Sequence, residues 1–230
     1  MWDANYVGVW HLDESGSGVL DEFVDSNGTG NHGQGGGGDS GKTPAITTNG
    51  QIGNAQDFDG TDDYVTIGNV IGTANAVTLS AWVKHDNLIA TKERQIELGD
   101  DVVLRHAGTG SIGQLDFYVK TNGTARHLRV NGALSNGVRY HVAGTWDGTT
   151  LRVFLNGVER DSKTPGGSLG AFSGGNISDA DPTEAMDGII DEVRISNIAR
   201  SPDWIAAQHL SMTDAFITYN AEEVSTASCP

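Results

Sequence analysis

Cysteine is nearly missing: the 230 residues hold one, Cys229. A disulfide framework and a thiolate zinc site each need at least two thiols, so both are excluded. Basic side chains are few, 14 Lys and Arg against 30 Asp and Glu, for a formal net charge of -16. A chain this acidic has no electrostatic footprint for nucleic acid, and anionic membrane surfaces repel it. No run approaches the roughly 18 apolar residues of a membrane span. The opening MWDANYVGVW has neither the basic nor the apolar segment of a secretory leader. It starts at once on a folded-type pattern and reads as a domain excised from a larger protein. Five prolines leave no Pro-rich linker inside the chain.

What is abundant is glycine, 32 residues. Asn-Gly recurs at 27–28, 49–50, 122–123, 131–132, 136–137 and 156–157, and both positions of that pair tolerate the positive φ of a type I′ hairpin turn. Between the turns run short segments of two-residue period, the mark of half-buried strands. In TLRVFLNG, Leu151, Val153 and Leu155 share a face; in TLSAWVK, Leu79, Ala81 and Val83 share one, with Ser80 and Trp82 opposite. DDYVTIG, QLDFYVK, RHLRV and YHVAGTW read alike. One stretch is helical, RSPDWIAAQHL: Ser201 caps it, Pro202 suits the first turn and Asp203 complements the dipole. The expectation is an all-β protein, a two-sheet antiparallel sandwich or jelly roll with one short helix near the C-terminus. Residues 1–212 form the domain. Residues 213–230 are a tail with one candidate strand, AFITYN, before a polar end that starts a linker. The Gly-rich run 28–41 is a surface loop.

Two motifs mislead. GGGDSGKT at 36–43 fits the phosphate-loop pattern letter for letter. That loop needs a strand before it and a helix after it, and here Gly-rich sequence precedes and PAITTNG follows. GDSG at 38–41 lacks the His and Asp segments of a serine protease. The seven histidines are scattered and form no close ligand pair. A glycoside hydrolase needs two facing carboxylates. The nearest approach, IELGDD with Glu97, Asp100 and Asp101, puts Glu97 and Asp100 on opposite faces of a regular strand. Trp10, Trp82 and Trp146 sit in strand segments that read as core, and Trp204 anchors the helix.

The densest charge lies in NISDADPTEAMDGIIDEVRIS, 176–196, where six carboxylates precede the single base Arg194. They are a solvated acidic loop or they surround something positive. In GIIDEVRI, Ile189, Asp191, Val193 and Ile195 share a face, so Asp191 points where apolar residues point and needs a partner. Backbone N–H groups, Arg194, Arg200 or a cation could each supply it.

Taken in order, VGVWHLDESGSGVLDEFVDSNGTGNHG, AQDFDGTDDYVTIG, VTLSAWVK, RYHVAGTWDGTTLRVFLNGV and DGIIDEVRISNIARSPDWIAAQH resemble laminin-G-like, concanavalin A-like lectin/glucanase domains of prokaryotic secreted or cell-surface proteins. The resemblance covers about residues 6–210. It implies a jelly roll that often holds calcium and binds carbohydrate or protein. It places a rim calcium at Asp100, Asp101, Asn176, Ser178, Asp179 and Asp181. A second, structural calcium would join Asp13, Asp25 and Asn31 to Asp191. Tyr64, His85, His106, Tyr118 and His127 are, on their own chemistry, candidates to line a ligand-binding concave face, with core or ordinary surface roles as the alternative for each. The function the resemblance implies is a non-catalytic, calcium-associated module for a glycan or cell-surface polysaccharide, extracellular, with a surface protein as another partner. The alternatives are a structural or adhesive spacer stiffened by calcium, and a polysaccharide hydrolase or lyase. Fold alone does not decide among them.

Overall fold

The computed structural model describes residues 2–108 and 111–215. AFITYN and the tail beyond it lie outside these, apart from Ala215. In chain order the strands are β1 (Tyr6–Trp10), β2 (Gln34–Gly35), β3 (Ala45–Thr47), β4 (Ala55–Asp59), β5 (Tyr64–Thr66), β6 (Val77–His85), β7 (Glu93–Leu98) and β8 (Val102–His106). They continue as β9 (Leu115–Thr121), β10 (Thr124–Val130), β11 (Arg139–Trp146), β12 (Leu151–Leu155), β13 (Val158–Lys163), β14 (Asn176–Ser178) and β15 (Asp187–Ser196), before the helix α1 (Pro202–Met212). The phosphate-loop match forms two single 3₁₀ turns, Gly36–Gly38 and Ser40–Lys42, without the strand and helix that chemistry requires.

The strands make two antiparallel sheets. One has eight, in the order β13-β12-β11-β6-β15-β4-β3, with β1 also on β15; the other has seven, in the order β10-β9-β8-β7-β14-β5-β2. Two of the Asn-Gly pairs are the hairpin turns their chemistry predicts. Asn122 and Gly123 (φ 49 and 72) join β9 to β10, and Asn156 and Gly157 (φ 51 and 77) join β12 to β13. The two-residue period puts Leu79, Ala81 and Val83 of β6 in one core with Leu115, Phe117 and Val119 of β9. Trp10 and Trp146 are fully buried in that core.

Trp82 departs from its core expectation. It lies on the outer face of β6, buried because α1 covers it, with His209 stacked at 5.3 Å, His141 at 5.4 Å and Met212 Sδ accepting its indole N–H at 3.2 Å. The helix starts where its capping chemistry requires: Ser201 Oγ accepts from the Trp204 N–H at 3.2 Å. It then buries Ile205 against Ala143 and Phe154. This closes one outer face of the sandwich, and among the described residues no helix covers the outer face of the seven-stranded sheet.

Gly144 on β11 measures how closely the two sheets pack, because the Phe117 ring fills the place a Cβ would take. Gly144→Ala is therefore expected to cost about 1–3 kcal/mol through overpacking. Gly170→Ala, with nothing within 4 Å of the added atom, should stay within about 0.5 kcal/mol. Urea unfolding checks the pair, and equal midpoints would show that the sheets separate freely at this layer.

Candidate functional site: a charged face held by Arg94

Strand register builds two rows of polar side chains on the outer face of the seven-stranded sheet. Arg94 of β7 is opposite Arg105 of β8, Arg105 opposite Asp116 of β9, and Asp116 opposite Arg129 of β10. The neighbouring row runs Asn176, Glu97, Val103, Tyr118 and His127 across β14 to β10. Side chains directly across a strand pair are in contact range, so register alone makes both rows interact.

Asp116 is the centre of the first row and is fully buried. Arg105 gives it two hydrogen bonds, from Nε at 3.1 Å and Nη2 at 3.0 Å. His127 Nδ1 lies 3.0 Å and Arg129 Nε 3.5 Å from the same oxygen. Burial pushes this carboxyl up, but the His127 hydrogen bond and the charge of Arg105 more than reverse it and hold it below the usual range. Tyr118 fills the gap between the rows, its ring 4.8 Å from the Arg105 guanidinium carbon and 5.0 Å from the His127 ring. Its hydroxyl donates to the Asp100 carbonyl at 3.0 Å, and burial raises it to about 12.

Arg94 is the centre of the rim. Its Nη1 bonds Glu97 and, at 2.5 Å, Asp100; its Nε donates to Glu184 at 2.5 Å and lies 3.0 Å from Asp179 in an ion pair. Asn176 donates to the other oxygen of Glu97 at 2.6 Å, and Lys92 to Glu184 at 2.6 Å. The 179–186 loop is tied down as well, through the Arg94 N–H to the Glu184 carbonyl at 2.8 Å. Burial works against the charge of Arg94, yet the Glu184 hydrogen bond and the charges of Glu97, Asp179 and Glu184 outweigh it and keep the guanidinium ionised. Glu97 and Asp179 are both raised, burial being the larger effect and Arg94 opposing it.

Half of the expected rim set thus meets at one point: Asn176, Asp100 and Asp179. Asp101 turns to Lys120 at 3.7 Å, Ser178 Oγ accepts the Met186 N–H at 3.1 Å, and the exposed Asp181 caps its own turn through Thr183. The donor set does not fit calcium. A dication needs six to eight oxygens at 2.3–2.6 Å, roughly the place the Arg94 nitrogens take among these carboxylates. The positive partner that the sequence demanded is a side chain from a strand 80-odd residues upstream, and no spacing rule pointed to it.

The other expected set divides. Asp25 and Asn31 meet, but Asp25 spends both oxygens on donors: Val9 N at 3.0 Å, Asn27 N at 3.2 Å, Thr29 Oγ1 at 2.7 Å and Asn31 N at 3.1 Å. That is a nest for an anion rather than a cation site. The exposed Asp13 stands apart, its carbonyl 3.5 Å from the Asn54 amide. Asp191 accepts from the Gln51 and Ile52 N–H groups at 2.5 and 3.1 Å. Its expected shared face with Val193 and Ile195 is a misreading. A bulge at Glu192 (φ 52) breaks the two-residue period, so Ile190, Val193 and Ile195 enter the core and Asp191 does not.

Of the expected ligand-binding side chains, Tyr118 and His127 lie on the charged face. Tyr64 is at the far side of the sheet beside Gly37. His85 and His106 are fully buried and line no open face. His85 bonds Glu93 at 2.5 Å, and burial lowers His106 to about 4. Nor do these two histidines hold a metal together. His106 Nε2 accepts the Gly113 N–H at 3.0 Å, so the neutral ring carries its proton on Nδ1, which faces Glu93 at 3.8 Å without a lone pair to offer. Asp59, Asp62 and Asp63, unremarked in the sequence, do come together. Asp59 and Asp63 there accept backbone N–H groups of their own turn.

Residues 59–206 match the Laminin_G_3 model of the concanavalin A-like lectin/glucanases superfamily, and the chain belongs to that family. Domain 4 of AbnA, a GH43 extracellular arabinanase from Geobacillus stearothermophilus solved in complex with arabinotriose, is similar with a TM-score of 0.68 at 21% identity. The match covers 89% of this chain and 98% of that domain. The binding domain of Paraclostridial Mosquitocidal Protein 1 gives 0.69 at 13% identity over 90% of this chain and 52% of that one. The binding domain of botulinum neurotoxin serotype D gives 0.64 at 12% over 90% and 51%. The chain thus spans about half of each toxin domain, and these likenesses are of fold. No curated protein sequence matches the chain.

Two outcomes follow from the carboxylate geometry. The unfolding midpoint is expected to be the same in calcium and in EDTA, whereas Arg94→Ala, which strands four carboxylates, should lose about 3 kcal/mol and recover part of it in calcium. A calcium-dependent rise in the unmutated protein would overturn the assignment of Arg94. Asp191 is raised to about 6, chiefly by burial. The folded state therefore holds its proton more tightly than the unfolded state, and stability falls as pH climbs from about 4 to about 7. Relative to Asp191→Asn, the unmutated protein should lose stability across that window; a flat difference would mean that the two backbone N–H groups fully compensate the charge.

Proposed function

We propose that this chain is a non-catalytic carbohydrate-binding module of a secreted or cell-surface protein, with the charged face of the seven-stranded sheet as its binding surface. The observation that carries the reading is the pre-formed row Arg105–Asp116–Arg129 with His127 and Tyr118 beside it. Arg105, Asp116 and Tyr118 are themselves buried, and they hold the exposed edges of His127 and Arg129 in place, so a ligand's hydroxyls meet groups that need little ordering. Family membership and the arabinotriose complex of the AbnA domain support a glycan as the ligand class. The charges on this face are paired, and the chain as a whole carries -16. A neutral polysaccharide therefore suits it better than an anionic one. No described helix is long and apolar enough to cross a membrane.

The arrangement supports binding without turnover. Glycoside hydrolysis needs two carboxyl groups facing each other across the sugar, one kept protonated and one ionised. Glu97 and Asp100 instead bond the same nitrogen of Arg94, and Glu97 and Asp179 are shifted in the same direction. Calcium has no role in this reading, because Arg94 supplies the positive charge.

Affinity electrophoresis through gels containing arabinan, xylan, mannan or mixed-linkage β-glucan tests it. At least one neutral polysaccharide should retard the protein, equally with and without EDTA. The double change His127→Ala and Arg129→Ala should weaken that retardation at least tenfold; because both side chains also pair with the buried Asp116, the melting temperature should fall while the protein stays folded at the assay temperature. No retardation in any gel would make the chain a spacer. Release of reducing sugar would make it an enzyme.

A further inference from the structure

On the other side of the sandwich, α1 and the N-terminal segment line an open groove of about 350 Å³. One wall is a single stripe of the helix, Trp204, Ala207, Gln208 and Ser211, at the i, i+3, i+4, i+7 spacing of one face. Trp2, Asp3 and Tyr6 form the facing wall, and Arg194 of β15 completes the lining. The volume falls within the range of small-molecule sites.

The aromatic walls are braced. The Trp204 indole N–H donates to the Tyr6 hydroxyl at 3.0 Å. Arg200 is held between the Tyr6 and Trp204 rings at 4.2 and 4.6 Å, and it bonds both oxygens of Asp3 at 2.5 and 2.7 Å. Arg194 lies over Trp2 at 4.7 Å and bonds Glu192 at 2.6 Å. Despite this bracing Trp204 stays 42% exposed. Its uncovered part lines the same groove as Trp2, which brings two indoles to one opening.

The lining also selects the ligand. A cationic guest is disfavoured, because it would lie beside Arg194 and Arg200, which already cover one face of Trp2 and one face of Trp204. An anion gains little, because Glu192 and Asp3 neutralise those two arginines. What remains is a neutral molecule with an apolar face for an indole and hydroxyls for the polar edge. Arg194 Nε is buried with no partner, so donor capacity is left over at the groove. We propose that this groove is a second carbohydrate subsite, taking a neutral sugar ring against Trp204 and Trp2, on the opposite side of the molecule from the charged face. It rests on the glycan reading for its ligand class alone; its residues are separate.

The tryptophans supply the assay. Of the five, Trp10 and Trp146 are wholly buried and Trp82 lies under α1, so a sugar-induced change in intrinsic fluorescence reports on Trp2 and Trp204. The probes are the methyl glycosides of glucose, galactose, mannose and arabinose, titrated singly. At least one should shift the emission saturably. Trp204→Ala should weaken that response at least tenfold. Ala207→Phe should do the same by filling the groove while the aromatic bracing stays in place, and the His127→Ala and Arg129→Ala protein should respond normally. A response lost only in the charged-face variant would overturn the subsite and keep the glycan reading. So would polysaccharide retardation with no fluorescence response to any glycoside. No response to glycosides together with no retardation would remove both.

Discussion

Thirty carboxylates against fourteen basic side chains set the condition that the rest of the structure meets: each partly buried acid must find a positive partner inside a chain short of them. Most find backbone N–H groups. Glu22 collects those of Ser17, Gly18, Val19 and Gly35, and Asp25 those of Val9, Asn27 and Asn31. Asp39, Asp59, Asp147 and Asp181 each close a local turn in the same way. The glycine content belongs to this economy of charge, since glycine-rich loops can fold their N–H groups inward around an anion. The acids that stand too close together for that, at the rim, share Arg94.

The two outer faces of the sandwich then acquire different chemistry from one asymmetry, the single helix. Where α1 lies, the outer face of β6 is apolar and aromatic; Trp82 and His141 are dry, and burial lowers His141 to about 3. Where no helix lies, the outward positions of β7 to β10 are long polar side chains that pack on one another. Arg105, Asp116 and Tyr118 are as buried as core residues while facing outward. A buried ion pair contributes little net stability, because desolvation offsets most of the attraction. What such a network supplies is position: each guanidinium and carboxylate is held by neighbours before any ligand arrives.

Much of this was legible in the sequence. The alternation of VTLSAWVK and LRVFL, the Asn-Gly turns at 122–123 and 156–157 and the Ser201-Pro202-Asp203 helix start each rest on local physics and stand where expected, whereas the other four Asn-Gly pairs lie in longer connections. The site was half legible. Asp100, Asn176 and Asp179 do converge, which the resemblance implied, but their partner Arg94 is an ordinary-looking residue in ERQIEL that only strand register brings to them. Asp191 misled because a bulge at Glu192 is invisible to a strict two-residue period. His85 and His106 take the core alternative: the packed structure buries both, with His85 bonded to Glu93 and His106 Nε2 accepting the Gly113 N–H. Trp204 read as an anchor, and it does brace Tyr6 and Arg200. That it does so while leaving much of its ring uncovered depends on where the N-terminal segment crosses α1, which no local pattern encodes.

Arg94 standing among the rim carboxylates, where the resemblance implied a calcium, has a consequence for recognition. A calcium at a rim offers open coordination positions, and a sugar's vicinal hydroxyls can enter them directly; affinity then follows the metal's occupancy. A guanidinium already bonded to four carboxylates offers no such position. A glycan on this face would instead meet the exposed edges of side chains such as His127 and Arg129, each worth little alone in water. Useful affinity then has to come from several weak contacts along an extended chain, or from two surfaces engaging the same polymer, where the second contact gains from effective concentration rather than from new chemistry. The fold meets that requirement: its polar face and its aromatic groove lie on opposite sides of one rigid sandwich, sharing no residue.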